Sequence, residues 1–115
     1  MKLIKLIILI MLPVIGFGQT LKIGSDVTVV HFNAGWNSAA DVKWFGDLKD
    51  AKLKRCDIAA DVKAQNKFEI VVVPTIIIFN DGEEIKRFQA DISFAMKATI
   101  EEVQEVIEEQ KASSF

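Results

Sequence analysis

The chain has 115 residues, half of them apolar, which is room for one small domain whose core can form without metal or disulfide staples. A single cysteine and a single histidine exclude an internal disulfide and a Cys/His metal cluster. The formal charge of −2 gives no positive field for a phosphate backbone, so nucleic acid is not an expected partner.

Met1 to Gly18 reads as an export signal. Lys2 and Lys5 form a basic start, and an apolar run from Leu6 to Phe17 follows. That run is too short for the roughly 20 residues of a membrane-spanning helix. Gly16 and Gly18 place small side chains where a signal peptidase needs them for a cut before Gln19. An uncleaved anchor or a buried strand is the alternative. With cleavage, residues 19–115 form one domain, periplasmic or secreted, with no stable membrane anchor and a more acidic balance. The basic cluster Lys49, Lys52, Lys54 and Arg55 is read as a solvated helix end, where cations complement the carbonyl dipoles.

A short Thr20–Ile23 stretch precedes the turn residues Gly24, Ser25 and Asp26. The β-branched run Val27 to Phe32 then predicts a buried strand. Asn33 to Asn37 is a small-residue loop around Trp36. Ser38 with Asp41 resembles a capping box opening a helix through about Ala51, with Val42, Phe45, Leu48 and Ala51 on its inner face. Leu53 to Ala59 predicts a second strand, and Asp61 to Lys67 a short helix or turn. Ile70 to Val73 leads into Pro74, and Thr75 to Phe79 carries the strongest strand signal.

Asn80-Asp81-Gly82 predicts a hairpin turn, with Glu83 to Gln89 returning antiparallel. Asp81-Gly82-Glu83-Glu84 lacks the alternating oxygen ligands of a calcium loop. Ile92 to Met96 reads as an amphipathic connector. Thr99 and Glu102 make a capping box for a last helix lined by Ile100, Val103, Val106 and Ile107, with Glu101, Glu105, Glu108 and Glu109 solvated and a tail fraying after Lys111. The element order describes a single α/β unit.

That order and two local segments resemble thioredoxin. Val29 to Trp36 is similar to the family's central strand and the tryptophan before its active site. Val73-Pro74-Thr75, followed by Ile76 to Gly82, is similar to its cis-proline loop and terminal hairpin. The resemblance covers roughly Val27 to Gln110. It implies a thioredoxin-like α/β fold with a central mixed sheet of about four to five strands flanked by helices. The family's first strand and helix are shortened here to Thr20–Ile23.

The departures bear on function. Where the family carries Cys-x-x-Cys, this chain reads Asn37-Ser38-Ala39-Ala40, so Asn37 and Ala40 replace the attacking and resolving cysteines. His31 stands where the family has a buried acid. Asn37 and Ser38 are read as helix caps, His31 as a neutral core histidine rather than a general base, and Cys56 as an inert core thiol rather than a redox centre. By resemblance, Val73 offers backbone groups to an extended peptide and Trp36 an apolar wall, with Asn37 and Pro74 completing the site. The alternative is that Pro74 only shapes its loop.

The expectation is therefore an exported, cofactor-free binding or chaperone-like module whose partner is an extended peptide or envelope protein, as a monomer or weak dimer. An oxidoreductase-related enzyme acting through Cys56 or an unrecognised site is the second expectation.

Overall fold

The β-branched runs form the centre of a sheet, and the turn signals between them set its connections. In the computed structural model, which describes residues 21–113, β1 (Val27–Asn33), β2 (Lys52–Asp57), β3 (Thr75–Asn80) and β4 (Glu83–Gln89) form one sheet in the order β2-β1-β3-β4. The expected leader and its cut site lie outside the described residues. β1 runs parallel to β2 and antiparallel to β3, and β3 runs antiparallel to β4. The mixed sheet expected from the sequence is present, with four strands among the described residues.

β1 and most of β3 are buried on both faces, and two apolar clusters explain why. One face packs Val30, Phe32, Ile77 and Phe79 with Ala64 of α1 (Val62–Lys67) and with Ile70. The other packs Val29, Ile76 and Ile78 with Phe45 and with Val103 and Ile107 of α2 (Ile100–Ser113). Leu21 and Ile23 pack on the first cluster without forming a strand.

Local chemistry sets most boundaries. Asp61 caps α1 by accepting from the Ala64 N–H at 3.0 Å. Asp81 and Gly82 take φ of 54° and 81°, the left-handed pair of a tight hairpin turn. Thr99 and Glu102 form the reciprocal capping box: the Glu102 N–H donates to Thr99 Oγ1 at 3.2 Å, and the Thr99 N–H to Glu102 Oε1 at 2.8 Å. α2 continues past Lys111 to Ser113, so the expected fraying after Lys111 does not begin there.

The helix expected from Ser38 to Ala51 does not form. Two short 3₁₀ turns, Gly35–Ala40 and Phe45–Asp47, take its place. Asp41 leaves the helical region at φ −52°, ψ 140°, and its carboxylate is drawn to the Asn33 amide at 2.5 Å. The Val42 N–H, which an α-helix would direct to the Ser38 carbonyl, donates instead to His31 Nε2 at 3.1 Å. Gly46, Asp47 and Asp50 are weak helix formers that offer little resistance. Val42, Phe45 and Leu48 are buried all the same.

The basic cluster is not a helix end: Lys52, Lys54 and Arg55 lie on β2 and Lys49 in the loop before it. Ile70 to Val73 leads into Pro74 as irregular chain that bends from Val72, with Val71 77% exposed. The Ile92–Met96 connector leaves Ile92 fully in solvent.

Candidate functional site

At the C-terminal end of β1 the chain turns sharply, and this turn lifts Trp36 off the sheet. The close approach of β2 makes the turn tight. The Gly35 N–H donates to Asp57 Oδ1 at 3.0 Å, and a Cβ on Gly35 would stand 2.9 Å from Asp57 Oδ2. Trp36 is left 70% exposed, its ring T-shaped to that of Phe94 at 5.9 Å between centroids.

Asn37 does not cap a helix. The residue at the cap position is Ala34, no side chain caps that turn, and Ser38 contributes its carbonyl to the Asp41 N–H. The Asn37 amide instead donates to Asn33 Oδ1 at 3.1 Å, while the Asn33 amide donates to the Asn37 carbonyl at 3.0 Å. The pair ties the turn down to the buried end of β1. Ala40 ends the same turn, so neither position that carries a thiol in the resembling family has a sulfur here.

Val73 and Pro74, expected from the resemblance to belong to the same site, lie on the segment before β3. The Val73–Pro74 peptide bond is cis, and both side chains are buried. Val73 therefore has only its backbone to offer, and among the described residues no hydrogen bond engages its N–H or C=O. Its neighbours are fixed: Thr75 Oγ1 donates to the Val72 carbonyl at 2.7 Å, and the Ala90 N–H donates to the Pro74 carbonyl at 3.0 Å.

That last bond brings in a third segment that sequence reasoning missed as part of the site. Asp91 accepts from the Ser93 N–H at 2.8 Å, from Ser93 Oγ at 2.6 Å and from the Ala95 N–H at 3.2 Å. These donors hold its carboxyl below the usual carboxylate range. The folded-back loop puts Phe94 at φ 64° against Trp36. Its local signal is Asp91-x-Ser93, an Asx-turn pattern, but nothing in it announces proximity to Trp36. Trp36, Val71, Ile92 and Phe94 are all exposed; the Trp36 and Phe94 rings touch, and the Ala90–Pro74 bond ties the loop of Ile92 and Phe94 to the segment that follows Val71.

Beneath the turn lies a concavity of about 240 Å³, lined in part by His31, Asp41, Arg55, Cys56 and Asp57. His31 is 2% exposed and packs on Phe45. Burial, aided by the Arg55 charge and opposed by Asp41, lowers its pKa below the ordinary value. Nε2 already accepts the Val42 N–H, so its lone pair is not free to take a substrate proton. Cys56 is buried, and burial together with the Asp61 and Asp57 carboxylates pushes its thiol up to about 11. Thiolate is scarce at neutral pH under those conditions.

Solved structures match this architecture. A mutant thioredoxin from Halobacterium salinarum aligns with TM-score 0.59 at 20% identity, covering 75% of each chain. A Fasciola hepatica thioredoxin aligns with TM-score 0.55 at 22% identity, covering 76% of this chain and 83% of that one. Reduced Schistosoma mansoni thioredoxin pre-protein aligns with TM-score 0.56 at 24% identity, covering 74% and 79%. No protein-family model and no curated protein sequence matches the chain. The topology, the two covered faces of the sheet and these alignments together give the chain the thioredoxin fold.

Proposed function

We propose that this protein is a non-catalytic binding module that holds extended segments of other polypeptides in a groove beside Trp36, without dithiol exchange. The observation that carries the reading is an exposed Trp36 against an exposed Phe94, with the Phe94 loop tied through the Ala90–Pro74 bond to a segment where the Val73 backbone has no internal hydrogen-bond partner among the described residues. An extended peptide would pair its backbone with Val73 and lay an apolar side chain against the two rings. Fold alone would not support this, because function belongs to the site.

Loss of redox chemistry belongs to the same reading. Dithiol exchange needs an attacking thiolate and a second thiol to release the mixed disulfide, and Asn37 and Ala40 supply neither. The raised pKa and burial of Cys56 argue against that thiol as a substitute. Export is also part of the proposal and rests on the leader pattern of Met1 to Gly18.

Two measurements on the purified chain starting at Gln19 test it. Insulin disulfide reduction should show no turnover above buffer, and turnover comparable with a dithiol thioredoxin would overturn the non-catalytic assignment. Titration with labelled extended peptides should show binding that weakens at least tenfold in Trp36→Ala, a loss of about 1.4 kcal/mol. Equal affinity of parent and variant would remove the groove from the account.

A further inference from the structure

Two sets of backbone hydrogen bonds are open to the segment after Asn37, and His31 stands between them. Ser38 and Asp41 have capping-box spacing, and Val42, Phe45 and Leu48 are buried at helical spacing. In a helix begun at Ser38, the Val42 N–H would donate to the Ser38 carbonyl and the Asp41 N–H to the Ser38 hydroxyl. In the structure the Ser38 carbonyl takes the Asp41 N–H at 3.0 Å, and the Val42 N–H goes to His31 Nε2 at 3.1 Å.

An imidazole nitrogen accepts a hydrogen bond only while it carries no proton, so the ring is neutral in this arrangement. A proton on Nε2 would set two donors against each other across that same 3.1 Å. An anion stands ready for the new N–H: Asp41 Oδ1 is 4.0 Å from Nε2 and now accepts from the Asn33 amide. Asp41 favours the protonated ring, while burial and the Arg55 charge on β2 oppose it. Cys56 and Asp57 line the same concavity. The other elements against this side of the sheet bring apolar groups, Ile76 from β3 opposite His31 and Val103 and Ile107 from α2.

We infer that His31 is a proton-operated latch on residues 38–42. Neutral, it holds the Val42 N–H and keeps the segment out of the α-helix. On taking a proton from solvent it releases that N–H to the Ser38 carbonyl and draws the Asp41 carboxylate from the Asn33 amide, and the segment winds into a first helical turn. Asn33 keeps its tie to Asn37 in both forms, so the Trp36 turn stays anchored to β1. The wall of the concavity beneath it, which includes His31, Ser38 and Asp41, changes shape. The latch belongs to the fold and operates whether or not a peptide occupies the groove.

The test is an NMR titration of the isotope-labelled chain from neutral pH downward, following the His31 ring nitrogens, the Val42 amide and the backbone carbon shifts of residues 38–42. As the ring takes its proton, the Val42 amide should shift and the 38–42 carbons should move to helical values in the same step, with the β1 and β3 amides still at their native positions. His31→Gln, which offers an amide oxygen in place of Nε2 and does not titrate, should show no such step. Asp41→Asn keeps an oxygen for the Asn33 amide but loses the charge, and should carry the step to lower pH.

A ring that protonates while residues 38–42 keep their shifts would overturn the latch, as would the same step in a folded His31→Gln chain. An unchanged midpoint in Asp41→Asn would overturn the exchange of Asp41 between Asn33 and His31. If His31→Gln does not fold, the parent decides: ring and backbone midpoints that differ overturn the inference. Global unfolding before the ring takes its proton would overturn it too, because the two arrangements would not then be alternatives within the folded chain.

Discussion

The β3–β4 hairpin with α2 and the arc from Asn33 to Phe45 are both buried on one side, but they satisfy their polar groups differently. In the first region partners come from nearby in the chain: Thr99 and Glu102 cap each other, and Asp81 and Gly82 make the turn from their own backbone freedom. In the arc partners come from the buried strand below. Asn33 takes the Asn37 carbonyl and the Asp41 carboxylate, and His31 takes the Val42 N–H across 11 residues. A capping pattern is reliable where no distant side chain competes for the same N–H. The arc fails that condition, and it carries Trp36 and Asn37 of the candidate site.

The largest effect is expected in the local region, where burial alone matters. Ile107 is fully buried in the second cluster, and Ile107→Ala should cost about 2–5 kcal/mol in urea denaturation. His31→Leu comes next: it leaves the Val42 N–H buried without a partner, at about 1–3 kcal/mol by the same method. Thr99→Ala removes an exposed cap and should cost about 1 kcal/mol. A His31→Leu cost below that of Thr99→Ala would break the contrast, because the arc would then not depend on its buried acceptor.

The pH dependence sharpens it further. His31 is the single histidine, and its folded pKa lies below the ordinary 6.5. Between the folded value and 6.5 the unfolded chain holds a proton that the folded chain refuses, so unfolding takes up protons. Stability should therefore be highest above pH 6.5 and fall as the pH drops from 6.5 towards the folded value. Parallel urea titrations should show that slope in the parent and lose it in His31→Leu. Carboxylates such as Glu84, lowered by its hydrogen bond to Arg87, contribute only at more acidic pH.

The same contrast explains what could be read from the sequence. β1, β3, the hairpin and α2 were legible because β-branched runs, Asn80-Asp81-Gly82 and Thr99 with Glu102 each encode their outcome locally. The segment from Ser38 to Ala51 kept its helical spacing of buried residues, and Val42, Phe45 and Leu48 do enter the core, but through two 3₁₀ turns. Nothing local to Val42 reveals that its N–H belongs to His31. Trp36 and Val73-Pro74 became candidates through the resemblance. Phe94 did not, because its ring meets Trp36 only after the loop folds back, across 58 residues of sequence with no local signal for the contact.

The most direct test of the groove is amide chemical-shift perturbation in the isotope-labelled chain on adding an extended peptide with an aliphatic centre. The account predicts shifts concentrated at Trp36 and Asn37, at Val71 to Val73, and at Ala90 to Ala95, with the Val73 amide among the largest. Shifts clustered instead between the 47–50 loop and α2, with Val73 unmoved, would contradict it.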